Sequence, residues 1–249
     1  MAILTNPLFY NLLFAHLFAD FFLQSEKMCK NKEEDPCCWS MVIHILIVAG
    51  CTCICSNAYW DFLKCAIWVI ALTHLLFDCI KSSVAQYKVI KKHALFVFLV
   101  DQVLHVGVLA FVAYFFRKCH PWNQFNWLSD TWVWKAPAVL CLILVIFKPA
   151  DIFIKNLLNS LKIRNKKNTH VGRWIGCLER ILCVLFFSLG QYEAIGLIVA
   201  AKSILRYREH ETIKTEYVLL GTLASFSIAC ISGLAIKFLL RDFISIILK

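Results

Sequence analysis

The chain has 249 residues, of which 60% are hydrophobic and 17% charged, and its net charge is +10. Its mean hydropathy of +0.69 excludes an ordinary soluble domain, and several apolar runs reach the about 20 residues that a membrane-spanning helix needs. The Lys and Arg side chains concentrate between these runs, where they orient a membrane protein rather than bind nucleic acid. The composition therefore predicts an all-α polytopic membrane protein with no nucleic-acid partner.

Eight apolar segments follow one another along the chain. They cover residues 5–25, 39–57, 62–86, 94–116, 134–150, 173–190, 193–205 and 217–240. The sixth and seventh are short, so six full spans plus a re-entrant hairpin is the alternative to eight transmembrane segments. The first segment has no basic start of the kind that secretory signals carry, which predicts that it stays as the first span.

The distribution of basic residues predicts the orientation in the membrane. Of the 26 Lys and Arg residues, seventeen fall in gaps on one side of the predicted bundle, seven on the other and two within segments. Because positive charge is enriched in cytoplasmic loops, the richer side is expected to face the cytoplasm. Both termini are then expected on the opposite side.

A long basic connection divides the chain. Residues 1–147 are predicted to form an N-terminal four-helix unit with a fifth span, residues 148–172 a basic cytoplasmic connection, and residues 173–249 a C-terminal helical unit. Most of the 13 cysteines lie in apolar segments and none has Cys-x-x-Cys spacing. We therefore expect apolar thiols rather than disulfides or a zinc ribbon.

Ionisable residues occur in pairs inside the apolar segments of the first half. Three pairs have a four-residue spacing: His16 with Asp20, His74 with Asp78, and Asp101 with His105. Residues four apart share one face of a helix. Ionisable side chains inside a membrane are costly and rare, so these pairs are functional candidates.

Alternating topology is expected to bring these six residues and His44 to one layer. Each lies within roughly 8 to 18 Å of the cytoplasmic end of its segment, at about 1.5 Å per helical residue. Four imidazoles and three carboxylates projecting into a helix bundle are a set that can bind metal ions. Zinc fits such ligands best, and manganese or iron would fit too. Interhelical hydrogen bonding and an ion or proton path are the alternatives.

The predicted roles in the first half follow from these positions. We expect six metal ligands: His16, Asp20, His74, Asp78, Asp101 and His105. The two predicted catalytic residues are His44, as a ligand or general acid/base, and Lys81, which lies close to a ligand motif. Gln24 and Gln102 are candidates to support the ligands or contact a substrate.

The sixth and seventh segments carry a second polar pattern. Its members are Arg173, Glu179, Arg180 and Lys202. Since Arg and Lys suit phosphate recognition, one reading is a substrate-binding lining that approaches the metal layer. The other reading is charge compensation, in which Glu179 pairs with Arg180 or Lys202.

The chain resembles a bacterial integral-membrane family catalogued as domain of unknown function 3307. The motifs that carry the resemblance are His-x-x-x-Asp-Phe-x-Leu-Gln at 16–24, His-x-x-x-Asp at 74–78, Asp-Gln-x-x-His at 101–105, and the later Gly-x-x-Glu-Arg and Ala-Ala-Lys-Ser-Ile. The resemblance implies the bacterial inner membrane and no established activity. More distantly, the His-x-x-x-Asp helices are similar to those of membrane-bound metal-dependent hydrolases and of the zinc phospholipase C group.

These patterns favour a metal-dependent hydrolase that acts on a phosphate-bearing amphiphile or nucleotide at the cytoplasmic leaflet. Its expected partners are membrane lipids, an anionic phosphate-bearing small molecule or lipid, and a second copy of the chain. A transporter or channel is one rival, in which the same carboxylates bind a passing cation or proton. A non-catalytic sensor or effector, whose metal only holds the helices together, is the other.

Overall fold

A computed structural model describes residues 5–56, 60–87, 93–117, 132–161, 170–206 and 212–241. The described residues contain ten α-helices and a π-helical turn, Ala19–Leu23, that continues the first helix. The helices are α1 Pro7–Phe18, α2 Glu26–Glu34, α3 Trp39–Cys55, α4 Trp60–Ala85, α5 Ala94–Arg117, α6 Trp132–Val145, α7 Lys148–Ser160, α8 His170–Leu189, α9 Tyr192–Arg206 and α10 Thr212–Leu239. The all-α prediction is confirmed. The centre of the predicted basic connection, residues 162–169, lies outside the described residues.

Three of the described helices are long and apolar enough to cross a membrane. The segments are Ala66–Ala85 of α4, Ala94–Phe116 of α5 and Leu219–Leu239 of α10. Helices α6 and α7 provide a fourth if they form one broken span, while Pro7–Leu23 and α3 are shorter apolar helices. Large apolar side chains such as Trp68 and Phe111 are exposed on α4 and α5, as expected for helices that face lipid. The chain is a multi-pass helical membrane protein, and the count of eight spans stays a prediction.

The structure divides into two compact units, Met1–Leu144 and Val145–Lys249. In the first unit, α1 packs on α3 and α5, and α4 packs on α3 and α5. The buried apolar core of this unit is Leu8, Phe9, Leu12, Ala66, Ile70, Leu109, Val112 and Ala113. One helical turn further along α1, α4 and α5, on the same faces, lie three of the predicted histidine ligands.

Asn6 fixes the start of α1 against α5. Its side chain accepts a hydrogen bond from the backbone N–H of Leu8 at 3.0 Å and donates to the carbonyl of Ala113 at 2.9 Å. The first contact caps the helix, and Pro7 suits the first helical position because it lacks an N–H. The second contact joins residues 107 positions apart, so it sets the depth at which α1 presents its polar residues.

In the second unit, α8 packs on α9 and α10, and α7 packs on α10. A Cβ atom added to Gly233 of α10 would lie 2.8 Å from the Cβ of Phe187, so only glycine allows this approach of the two helices. Gly190, with φ +77°, ends α8 and turns the chain into α9. The eleven cysteines whose side chains the structure describes are free thiols.

Candidate metal centre

The structure brings seven of the predicted residues together in the first unit. We call this group the His/Asp cluster: His16, Asp20, His44, His74, Asp78, Asp101 and His105. The four histidines are at most 3% exposed, and the side chain of Asp20, the most accessible of the three carboxylates, is 10% exposed. Ionisable groups so deeply buried need partners, because an unpaired charge in a poorly solvated interior is very costly.

Asp20 lies in the π-helical turn that follows α1. The backbone N–H of Gln24 donates to the carbonyl of Ala19, five residues earlier, at 3.1 Å. Such wide turns are rare and often occur at functional sites. Nδ1 of His16 still lies 3.7 Å from Oδ1 of Asp20, so the turn keeps this pair adjacent. The sequence predicted an uninterrupted α-helix here, because the five residues of the turn fit either helix type.

Four ligand atoms from α3, α4 and the π-turn form what we call the four-atom set: Asp20 Oδ1, His44 Nε2, His74 Nε2 and Asp78 Oδ2. The two nitrogens lie 3.1 Å apart. Asp20 Oδ1 lies 3.5 Å from His44 Nε2 and 3.4 Å from His74 Nε2, and Asp78 Oδ2 lies 3.4 Å and 3.9 Å from the same nitrogens. Ligand atoms of a tetrahedral zinc ion with bonds of about 2.1 Å lie about 3.4 Å apart. These five distances of the four-atom set bracket the separation expected in a zinc site.

A second group overlaps the first. The ligand atoms of Asp78, Asp101 and His105 all lie within 4.8 Å of one another, and we call them the three-ligand set. Asp78 belongs to both sets and has two carboxylate oxygens, so its position is that of a ligand shared between two sites. His16 groups with Asp20 and His74 in the same way, and its ring is stacked on that of His105 with centroids 5.1 Å apart.

Several buried polar atoms of the cluster have no hydrogen-bond partner within the described part of the chain. They are His16 Nε2, Asp20 Oδ1, His44 Nδ1, Asp101 Oδ1 and His105 Nε2. Leaving one such atom unpaired costs about 1–3 kcal/mol, so five at one place are a strong indication of a ligand. The residues present thus fit a divalent metal ion.

The hydrogen bond of His105 orients the imidazole for coordination. Its Nδ1 lies 2.8 Å from the carbonyl oxygen of Asp101. A carbonyl oxygen can only accept, so Nδ1 donates, and in the neutral ring the lone pair is then on Nε2. This is the usual support of a metal-binding histidine, in which the second ring nitrogen donates to a carbonyl or carboxylate.

Two lysines bond the carboxylates of the cluster. Lys32 Nζ donates to Asp78 Oδ2 at 2.5 Å, and Lys81 Nζ donates to Asp101 Oδ2 at 2.7 Å. Gln102 Nε2 also donates to Asp101 Oδ2, at 3.1 Å. Asp101 is therefore held through one oxygen while its other oxygen, Oδ1, remains available. Lys81 and Gln102 were singled out from the sequence, but Lys32 was not.

The sequence did not predict a role for Lys32 because α2 has the composition of a solvated cytoplasmic helix. Its sequence, Glu-Lys-Met-Cys-Lys-Asn-Lys-Glu-Glu, has no apolar stripe, and charged runs of this kind are usually surface. Only the packing of α2 against α3 and α4 decides which of its three lysines turns inward.

The predicted residues of the C-terminal segments are brought together differently. Arg180 is 2% exposed. Its guanidinium donates to the carbonyl of Ile146 at 2.5 Å, to Asp151 Oδ1 at 2.5 Å and to Ser225 Oγ at 3.2 Å. Lys202 donates to the Glu179 carboxylate, and Arg173 is exposed on α8. The pairing of Glu179 with Lys202 is one of the two pairings considered from the sequence, whereas Asp151 was not considered.

Residues 8–135 match the family described as Protein of unknown function (DUF3307). The match covers more than half of the chain and contains the whole His/Asp cluster, and it stops short of the C-terminal unit. No curated protein and no solved structure matches the chain.

Proposed function

The chain belongs to the DUF3307 family, and from this starting point we propose that it is a metal-dependent hydrolase of the bacterial inner membrane. Its substrate would be a phosphate-bearing amphiphile or nucleotide, reached from the cytoplasmic leaflet. The observation that carries the proposal is the pair of overlapping ligand sets that share Asp78. Carboxylate and histidine ligands on facing helices are an established way to hold metal ions in a bundle core.

The three-ligand set supports catalysis. Catalytic zinc sites have three protein ligands and keep one position for water or substrate, whereas structural sites are closed by four. Asp78, Asp101 and His105 provide three ligands. A divalent ion there would supply Lewis acidity and activate a water molecule for attack on phosphorus. Zinc suits the mixed nitrogen and oxygen donors, and manganese or iron are the alternatives.

The chain's own residues would position the reacting groups. Asp101 is held by Lys81 and Gln102, and His105 by the Asp101 carbonyl, so both ligands are oriented before an ion binds. His44 would act as a ligand or as a general acid/base. Lys81, whose side chain is 39% exposed, is the catalytic candidate that joins the buried cluster to the protein surface.

The four-atom set favours a second candidate function. Four protein ligands at 3.1–3.9 Å from their neighbours would close the coordination of one ion, as structural zinc sites do. In that case the chain would be a membrane sensor or effector whose metal stabilises the four helices. The substrate-binding roles of Arg173, Glu179, Arg180 and Lys202, the eight spans and the cytoplasmic position of the site remain predictions.

A hydrolysis assay with a matched pair of variants tests the proposal. The full chain, purified in detergent and loaded with zinc, is assayed with a nitrophenyl phosphomonoester and a nitrophenyl phosphodiester. We expect metal-dependent turnover that His105→Gln reduces by more than the about 10- to 100-fold that losing a supporting hydrogen bond costs. His93→Gln, an exposed histidine outside the cluster, serves as the control. Bound metal without turnover of either substrate would favour the structural role.

A further inference from the structure

Lys32 is the buried residue of an otherwise accessible helix. Of the nine residues of α2, all of them described, it is the one that is buried. Its side chain is 8% exposed, which is unusual because lysine is almost never buried unless it is paired. Lys27 and Lys30 of the same helix are exposed. The structure thus places one lysine of three at the metal centre.

Local contacts fix the position of α2. Ser25 caps the helix by accepting from the backbone N–H of Met28 at 3.2 Å. Asn31 Nδ2 donates to Ser40 Oγ at 3.0 Å, which ties the end of α2 to the start of α3. These contacts therefore also fix the position of Lys32, which follows Asn31, at the edge of the His/Asp cluster.

The two ammonium groups keep capacity for a further ligand. Each has three N–H donors. Lys32 uses one on Asp78, and the Gln24 side-chain oxygen accepts a second at 2.5 Å when its amide is oriented to satisfy both neighbours. Lys81 donates to Asp101 from a side chain that is 39% exposed. The Lys81 side chain therefore connects the buried cluster with the protein surface.

The charge of the cluster changes sign when it binds a metal ion. Its three carboxylates are accompanied by two ammonium groups, so with neutral histidines the net charge is one negative. A single divalent ion turns this into one positive charge, and a second ion would add two more. Excess charge in a poorly solvated interior is costly, so a loaded cluster favours the binding of an anion.

We infer that Lys32 and Lys81 form an anion subsite beside the metal ion and take a phosphate group. The inference rests on the proposed function only in that it requires a bound metal ion. Charge-assisted hydrogen bonds from lysine suit phosphate oxygens. Because coupling between two ligands is reciprocal, phosphate should bind more tightly to the loaded protein, and the metal ion should bind more tightly in the presence of phosphate.

Phosphate titration of the cobalt-loaded full chain in detergent tests the subsite. Visible absorption of Co²⁺ reports binding of inorganic phosphate, and elemental analysis reports the metal content of every variant. We expect Lys32→Met and Lys81→Met each to weaken phosphate binding by about tenfold or more, as for loss of a charge-assisted hydrogen bond. Both variants should keep their Co²⁺. Lys27→Met on the exposed side of α2 should bind phosphate like the unmodified protein.

Three results would overturn the subsite. They are wild-type phosphate affinity in both lysine variants, absence of phosphate binding by the loaded unmodified protein, and turnover that persists without phosphate binding. If Lys32→Met fails to fold, Lys81→Met decides. Phosphate binding without hydrolysis would instead refute the hydrolase and leave the subsite standing.

A competition arm identifies the source of the phosphate group. Nanodiscs containing phosphatidic acid are compared with nanodiscs of phosphatidylcholine alone. Displacement of inorganic phosphate by the first but not the second supports a lipid headgroup in the subsite. Phosphate binding that neither nanodisc affects supports a soluble phosphate compound there.

Discussion

Lys32 and Asp78 are 46 residues apart in the chain, and their side chains meet at 2.5 Å. The two side chains are only 8% and 5% exposed. The same Asp78 oxygen lies 3.4 Å from His44 Nε2, so one atom belongs both to an ion pair and to the four-atom set. This contact links helix α2 to the candidate metal centre.

The protein as purified is expected to carry one or two transition-metal ions per chain. The reason is the density of oriented and unpartnered ligand atoms in the His/Asp cluster. Elemental analysis after gentle purification without chelators measures it. Less than about a tenth of an equivalent would contradict a metal site, since well-supported buried sites lose their ions slowly.

Asp78→Asn is expected to destabilise the protein strongly. It leaves the Lys32 ammonium buried without its counter-ion, and breaking a buried pair in this way costs about 3–5 kcal/mol. The double variant Lys32→Met/Asp78→Asn should recover much of the loss because the uncompensated charge is gone. Unfolding of the metal-free protein in mixed micelles measures the free energy of unfolding of each variant. Simple additivity of the two single changes would contradict the pairing.

His44→Gln is expected to weaken metal binding more than His105→Gln does. His44 Nε2 lies 3.1–3.5 Å from each of the other three atoms of the four-atom set, whereas His105 belongs to a set of three. Chelator competition with zinc gives both affinities, and we expect them to differ by about tenfold or more. Equal losses would show that the four-atom set is not the tighter site.

Arg180→Met is expected to lower stability while leaving the metal content unchanged. The change leaves Asp151 and the Ile146 carbonyl without their charged donor, at a cost of about 1.5–3 kcal/mol for each hydrogen bond to a charged group. If Arg180 also binds substrate, which is one of the two readings of the sequence, turnover falls in the folded fraction. Lys202→Met, which frees Glu179, should lower turnover with a smaller effect on stability. Loss of bound metal in either variant would contradict this prediction.

The basic connection is expected to face the cytoplasm. The reason is the excess of Lys and Arg on that side of the predicted bundle, because positive charge is enriched in cytoplasmic loops. Asn168, outside the described residues, is replaced by cysteine in a background without reactive loop cysteines, and labelled in whole cells with a reagent that does not cross the inner membrane. We expect protection, and labelling without cell disruption would reverse the topology.

The sequence determined the helical fold and the His/Asp cluster. Apolar runs can bury their backbone in a membrane only as helices or closed barrels, so the fold class follows from composition. The four-residue spacing of the pairs and their common depth predicted that residues of α1, α3, α4 and α5 lie together. The reason is that consecutive spans run in opposite directions, so residues at the same distance from the cytoplasmic ends of their spans lie in one layer of the bundle. Their roles as ligands stay predictions.

Only the tertiary structure decided which charges pair. The sequence shows three lysines in α2, but the packing of that helix on α3 and α4 buries Lys32 alone. The sequence likewise indicates Glu179 rather than Asp151 as the partner of Arg180. In the structure, the carboxylate of Asp151 in α7 accepts a hydrogen bond from Arg180. The sequence likewise gives no indication of the π-turn at Asp20. Helical periodicity determines which residues share a face of one helix. Contacts with residues on other helices are determined only when the helices of the whole unit pack together.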